Sequence, residues 1–401
     1  MSNQEMIERA ERVMLANYRP APIVLQFGLG CRVTDVEGRS YLDLCGGIAV
    51  VSVGHGHPQL AAAVGEQAAR LIHTSNLFYN DRAIEFADAL SKRSGFDRFF
   101  FCNSGAEANE ALLKLARRYH FDRGQPRAEV VAMVNSFHGR TMGALSLTGQ
   151  AKYHEGLGPL VEGVRHVPFN DLNALSEVVS ERTAAVFVEP IQGEGGVLVP
   201  DDGYLSGVRK LCDDHGALLF FDEVQTGFGR TGAFLAREHS GVWPDGCSLA
   251  KGIGSGFPLG AVALRESLVN ALPPGSHATT FGGNPLACSA GSAVLRIFEE
   301  EQLVQRAAQR GAYLAAGLQA LAADAQVPAA VAARGRGLLQ GLVLSSDVSP
   351  VDVLVAVRER GVLLSLAGGN VLRFTPPLCV SEGELDEGLR VVREVLSTTS
   401  S

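Results

Sequence analysis

Short apolar runs alternate with amphipathic helical patterns through the middle of this chain, which predicts an α/β protein built on a mostly parallel central sheet. Each run stops where polar or glycine-rich residues begin, as strands of an open α/β sheet do at their ligand-facing ends. The length of 401 residues exceeds what one ordinary core needs, so two domains are expected at roughly 100–200 residues each. With 46% hydrophobic and 19% charged residues the composition is that of a folded globular chain and excludes intrinsic disorder.

The first strong strand candidate is Arg98–Cys102 (RFFFC), which runs into Asn103, Ser104, Gly105, Ala106 and Glu107. A helix follows, because Ala108, Ala111, Leu112, Leu115, Ala116 and Tyr119 recur at i, i+3, i+4, i+7, i+8 and i+11. Ser104 and Glu107 have capping-box spacing at its start. Further strands are expected at 129–134, 184–188 and 217–221. The strand exits are therefore NSGAE, SFHGR, EPIQGEGG and DEVQTG, where a ligand should sit. Beyond Pro285 alanine-rich helical patterns dominate, then short strands are expected at 335–343 and Val371–Phe374. The last helix opens on a second capping box, Ser381 with Glu384, and aligns Leu385, Leu389, Val392 and Leu396. These elements predict a smaller α+β domain, with residues 320–333 as a surface helix and loop.

Lys+Arg 35 against Asp+Glu 43, a net charge of -8, argues against a nucleic-acid partner, which would need a clustered basic excess. Seven dispersed cysteines without a C-x-x-C pair read as buried thiols of a reducing compartment. The first residues lack a basic start, a long apolar run and a cleavage site, and no apolar window reaches membrane-spanning length. The expectation is a cytoplasmic protein with no membrane partner. His55 and His57 have H-x-H spacing, but glycines and Pro58 surround them and no carboxylate or cysteine lies beside them in sequence, so no metal site is expected. Glycine is in excess, 46 residues or roughly 11% against about 7% on average, which points to tight turns or backbone close to a ligand.

Four features carry chemistry. The strand-to-helix turn at Ser104, Gly105 and Ala106 offers free N–H groups and a positive helix end to an anion, though such a turn is equally an ordinary one. Asp222 ends an apolar strand, where a carboxylate needs a cation or hydrogen bonds, and a positively charged ring nitrogen or a simple turn would satisfy it. Lys251 stands between apolar residues and a glycine-rich loop; buried, its amine becomes a usable nucleophile, whereas solvated it does not. Phe137 and Arg140, in FHGR, place a stacking ring beside a guanidinium that can fork to a carboxylate.

In order, NSGAEANEALLKLARRY, FHGRT, VEPIQGEGG, LLFFDEVQTGFGRTG, LAKGIGSGFPLGA, ATTFGGNPLAC and LRFTPPL closely resemble the class III, or ornithine-type, pyridoxal-phosphate aminotransferases, with YLDLCGGIAV and GHGHP extending the likeness over nearly the whole chain. The resemblance implies fold type I, with a large cofactor-binding domain over 50–285 and a small domain from 1–49 and 286–401. It implies pyridoxal 5'-phosphate held covalently by Lys251, with Asp222 on the ring nitrogen, Phe137 stacked on the ring and Gln225 reaching its hydroxyl. Ser104, Gly105, Ala106, His138, Glu189, Glu223 and Val224 complete the expected cofactor site. Thr280 would reach the phosphate of a partner subunit, so a homodimer with shared sites is implied.

For substrates, the resemblance assigns Arg373 to an α-carboxylate and Arg140 to the distal one, with Glu194 neutralising Arg373 when the donor is an ω-amine. Arg140 and Thr279 would hold the carboxylate of an acylated ornithine. The implied reaction is transfer of the δ-amino group of N-acetylornithine to 2-oxoglutarate, giving glutamate, in arginine biosynthesis. Ile48 stands where free-ornithine enzymes carry a tyrosine and cannot hydrogen-bond an α-amino group, while Tyr18 keeps the tyrosine those enzymes use nearby. Ala278 and Ser255 replace glycines usual in the family's loops. Succinylornithine, free ornithine, 4-aminobutyrate and N-blocked lysine remain alternative donors. A nicotinamide dehydrogenase is disfavoured because no G-x-G-x-x-G follows the first strand, and a non-catalytic regulator because both substrate arginines are kept.

Overall fold

The computed structural model describes residues 1–398. Strands β1 (Leu25–Leu29), β2 (Arg32–Asp35) and β3 (Ser40–Asp43) form an antiparallel meander near the start of the chain. Seven strands then build the central sheet: β4 (Arg98–Cys102), β5 (Glu129–Met133), β6 (Val164–Val167), β7 (Thr183–Val188), β8 (Leu218–Asp222), β9 (Gly246–Leu249) and β10 (Gly260–Leu264). Their order is β4-β10-β9-β8-β7-β5-β6, and β10, antiparallel to both its neighbours, is the one strand that runs against the rest. The expected mostly parallel sheet is thus present. The β7 residues TAAVFV and the β8 residues LLFFD are buried throughout, the pattern of strands covered on both faces.

Toward the C-terminus, β11 (Ala330–Arg336) and β12 (Leu339–Leu344) pair as a hairpin, β13 (Val362–Leu363) returns to pair with β3, and β14 (Ser365–Ala367) and β15 (Val371–Phe374) complete the third sheet. The β3–β13 ladder joins the two ends of the chain into one layer. Among the described residues no helix is long and apolar enough to cross a membrane.

Three local expectations change. The run 335–343 is not one strand: Gly337, at φ +56°, turns the chain between β11 and β12, a conformation glycine adopts without a Cβ penalty. The alanine-rich stretch 320–333 divides between the end of a 21-residue helix, Leu303–Ala323, and β11, with Val327, Ala329 and Ala330 buried. Glu107 does not close a capping box on Ser104; Ser104 Oγ accepts from the Glu107 N–H, but the Glu107 carboxylate takes the Asn103 N–H instead. The second capping box forms as expected, with Ser381 N–H donating to Glu384 Oε2 and Glu384 N–H to Ser381 Oγ.

Candidate active site

Because β4, β5, β7, β8 and β9 share a direction, their carboxyl ends open onto one edge of the sheet, and the four glycine-rich exits meet there. A cavity of about 400 Å³ lies at this edge, walled by Ser104, Gly105, Ala106, Phe137, His138, Arg140, Glu189, Asp222, Val224, Gln225 and Lys251. Val50, from the early part of the chain, closes one side.

Ser104 caps the helix Gly105–Phe121 through the Glu107 N–H, leaving the first helical amides, Gly105 and Ala106 among them, to face the cavity. A Cβ on Gly105 would stand 2.8 Å from Val224 Cγ2, so only glycine brings the backbone this close. At the other end Asp222 is buried. Its Oδ2 accepts from Asn109 Nδ2 at 2.8 Å and faces His138 Nδ1 at 2.7 Å, while Oδ1 accepts from Val224 N–H. Beside a carboxylate Nδ1 carries the ring proton, and His138 Nε2 is buried without a partner among the described residues. Three donors fix the Asp222 carboxylate beside the cavity, where a charged ring nitrogen would meet it.

Lys251 is held in left-handed backbone (φ +50°) just past β9. Burial pulls its amine down to about 8, with Glu194 opposing and Arg373 adding to the fall. The buried-nucleophile reading of this lysine therefore has a physical basis. Glu189 is buried and is pushed well above the carboxylate range by burial and by the Asp222 charge, while it accepts the Phe137 N–H.

Arg373 on β15 is buried, and its Nη1 donates to Glu194 Oε1 at 2.5 Å and to Gln225 Oε1 at 3.0 Å; Nε donates to Ser365 Oγ. Burial raises Glu194, but the charges of Arg373 and Lys251 and hydrogen bonds from Arg373 and Gln225 outweigh it, and the carboxyl titrates below its ordinary range. Arg140 is exposed at the cavity mouth, its guanidinium 3.7 Å above the Tyr153 ring and 5.5 Å from that of Phe137.

Other expected residues lie elsewhere. Glu223 turns away from the cavity: its carboxylate accepts from Thr226 Oγ1 and from the Ala236 and Arg237 amides, because those N–H groups begin a short helix that needs a cap. Tyr18 is 78% exposed and Ile48 48%, and neither lines the cavity. Thr279 and Thr280 are outside its wall; Thr279 Oγ1 accepts from Asn103 Nδ2, and Thr280 is exposed. His55 and His57 each face a carboxylate that sequence proximity hid, Asp43 at 2.8 Å and Glu301 at 2.9 Å, because the fold brings both from other elements.

Sequence reasoning missed Asn109, Tyr153 and Ser365. Asn109 sits one turn after Gly105 on the helix, a spacing that could have flagged it. Tyr153 and Ser365 reach their arginines through tertiary contacts with no local signature.

The class-III aminotransferase family profile matches residues 13–396. Among known proteins, the acetylornithine aminotransferase of Myxococcus xanthus is 48% identical over 96% of both chains, and that of Methanothermobacter thermautotrophicus 43% identical over 99% of this chain and 100% of its own. In solved structures, the ornithine aminotransferase of Toxoplasma gondii, with partial occupancy of PLP at its active site, superposes with a TM-score of 0.96 at 36% identity, over 99% of this chain and 95% of its own. The acetylornithine aminotransferase of Elizabethkingia anophelis does so at 0.87 and 33% identity, over 99% of both chains. The chain belongs to the class-III aminotransferases, enzymes of the pyridoxal-phosphate type.

Proposed function

We propose that this enzyme is an acetylornithine aminotransferase, moving the δ-amino group of N-acetyl-L-ornithine to 2-oxoglutarate in arginine biosynthesis. The observation that carries the reading is the Glu194–Arg373 ion pair in a chain 43–48% identical to acetylornithine aminotransferases over most of its length. An ω-amine donor has no carboxylate beside its reacting carbon, so Arg373 needs another anion, and Glu194 supplies it. When glutamate or 2-oxoglutarate enters, its α-carboxylate replaces Glu194 on the guanidinium.

The wall fits the cofactor: free amides at the Gly105 helix start for a phosphate, Asp222 for a ring nitrogen, Phe137 for a ring face, a buried amine at Lys251. Bound there, pyridoxal phosphate supplies an electron sink for the bond broken at the amine-bearing carbon. Lys251 Nζ, lowered to about 8, takes the proton from that carbon as general base. His138 and Asn109 hold Asp222 in place, and Gln225 spans Glu194 and Arg373. Arg140 receives the distal carboxylate at the mouth, with Thr279 beside it in the bound state. Residues 50–285 form the cofactor-binding domain in this reading and 1–49 with 286–401 the small one. A homodimer supplies Thr280 to the neighbouring site. We place the enzyme in the cytoplasm, on the ground of seven dispersed cysteines without a C-x-x-C pair.

Free ornithine is the second reading, favoured by the backbone match to the Toxoplasma enzyme. Steady-state kcat/KM for N-acetylornithine, N-succinylornithine, ornithine, 4-aminobutyrate and N-acetyllysine separates them. Preference for the acetylated donor is expected, and a higher kcat/KM for ornithine refutes the proposal. An absorption spectrum of the purified protein and of Lys251→Ala tests the cofactor site separately.

A further inference from the structure

Cys31 and Cys379 are 348 positions apart in sequence, yet their sulfurs lie 3.9 Å from each other. Of the seven cysteines, these two are the pair whose sulfurs come within hydrogen-bonding range among the described residues. Cys31 sits in the turn between β1 and β2, and its carbonyl accepts the Asp43 N–H. Cys379 lies beyond β15 in a turn whose Leu378 N–H donates to the Ser52 carbonyl. The fold makes room for the second sulfur: a Cβ on Gly54 would stand 2.9 Å from Cys379 Sγ. Cys31 is buried, whereas Cys379 is half-buried and so the sulfur a reagent meets first.

We propose that Cys31 and Cys379 form a reversible dithiol–disulfide pair, a modification site whose co-reactant is a small-molecule disulfide. In the first step the Cys379 thiolate attacks one sulfur of the reagent; a new S–S bond forms and the other reagent half leaves as a thiolate. Cys31 then loses its proton to that thiolate or to water and attacks Cys379 Sγ, releasing the second half. Two protein thiols are oxidised by two electrons, and the reagent disulfide is reduced to two thiols. The roles follow from exposure: Cys379 is the less buried of the two, and burial pushes the Cys31 thiol up, so Cys379 meets the reagent and Cys31 resolves. The product ties the β1–β2 turn to the segment after β15, beside the Leu378–Ser52 contact and close in sequence to Val50 of the active-site wall. Closing so long a loop restricts the unfolded chain and raises the unfolding temperature.

The test is oxidation of the holoenzyme by glutathione disulfide under native conditions, followed by alkylation, digestion and mass mapping. The expected result is loss of two of the seven alkylatable thiols, a Cys31–Cys379 linked peptide as the first disulfide, an unfolding temperature raised by several degrees, and reversal by dithiothreitol. Cys31→Ser should stop at a glutathione adduct on Cys379, and Cys379→Ser should form neither product. A stable glutathione adduct at Cys379 in the unmodified enzyme, or a linked peptide seen only after denaturation, overturns the proposal. The mapping on unmodified protein decides the matter even where a variant folds poorly, and it does not depend on which amine the enzyme uses.

Discussion

At the scale of single residues, the buried cation Arg373 sets the clearest expectation. Its side chain is 2% exposed and Glu194 is its anion, so Glu194→Ala leaves a guanidinium with Gln225 and Ser365 as its hydrogen-bond partners among the described residues. A loss of about 3 kcal/mol is expected, the low end for a broken buried pair because Glu194 is partly open to water. Since 2-oxoglutarate brings its own carboxylate, it should raise the melting temperature of Glu194→Ala more than that of the unmodified enzyme; equal shifts would show that the ligand does not replace Glu194. Lys251 gives a pH dependence with a definite sign. In the cofactor-free chain its ammonium is lost at about 8, against 10.5 for the ordinary group. The unfolded state therefore binds more protons between those values, and stability rises with pH across that window. Urea titrations of the apo chain should show this rise, and Lys251→Met should remove it. Burial and the Asp222 charge disfavour the ionised form of Glu189, so Gln, which keeps an acceptor for the Phe137 N–H without a charge, should cost less than about 1 kcal/mol, whereas Ala leaves that N–H unpaired and costs about 1–3 kcal/mol, read by the same titrations. Much of this was legible in the sequence as residue types at strand exits. The joining of Glu194 to Arg373 across 179 positions came only from resemblance, because no local pattern encodes which strand a distant arginine will face.

At the scale of elements, the strands with long apolar runs and the helices with complete i, i+3, i+4 stripes were legible, because burial on a fixed face forces those periods. The strands β9 (GCSL) and β10 (GAVAL) were not, since four or five small residues show neither alternation nor bulk, and only pairing with β8 and β4 makes them strands. The turn between β11 and β12 escaped for a related reason: glycine at 335 and 337 signals a turn only once the register Arg336↔Leu339 is known. Glycine position rather than glycine number is what the elements use. Gly105 opens the helix at the cavity with no room for a methyl group beside Val224, and Gly105→Ala should cost about 1–3 kcal/mol of local packing and weaken pyridoxal-phosphate affinity about tenfold or more. Gly65 lies inside the Pro58–Ala68 helix, where a Cβ would meet nothing within 4 Å, so it should tolerate Ala and gain up to about 1 kcal/mol. Thermal unfolding of the two variants should move in opposite directions, and cofactor affinity should fall in Gly105→Ala alone; unchanged affinity in Gly105→Ala would mean that the approach of Val224 does not shape the phosphate end.

At the scale of the whole molecule, the surface carries apolar residues that a lone subunit has no reason to expose. Leu71, Ile72, Leu77, Phe78, Tyr79 and Phe281 are all exposed, Tyr79 at 96%, and Asn76 in the same stretch donates to the Thr279 and Gly282 carbonyls. This apolar stretch is thereby tied to the loop that bears Thr280, which is itself outside its own cavity wall. A second copy of the chain covering this face would bury those side chains and bring Thr280 to the neighbouring phosphate site, so that each active site draws on two subunits. Mixed dimers test this directly. Lys251→Ala removes the amine, and Thr280→Glu sets a carboxylate against the phosphate, so each variant alone should be inactive. If Thr280 serves the partner, a hybrid of the two places both lesions in one site and leaves the other intact. Random re-pairing of equal amounts makes half the dimers hybrids with one good site each, and about a quarter of the unmodified activity should return. If Thr280 instead serves its own subunit, both sites of every hybrid are damaged and mixing restores nothing.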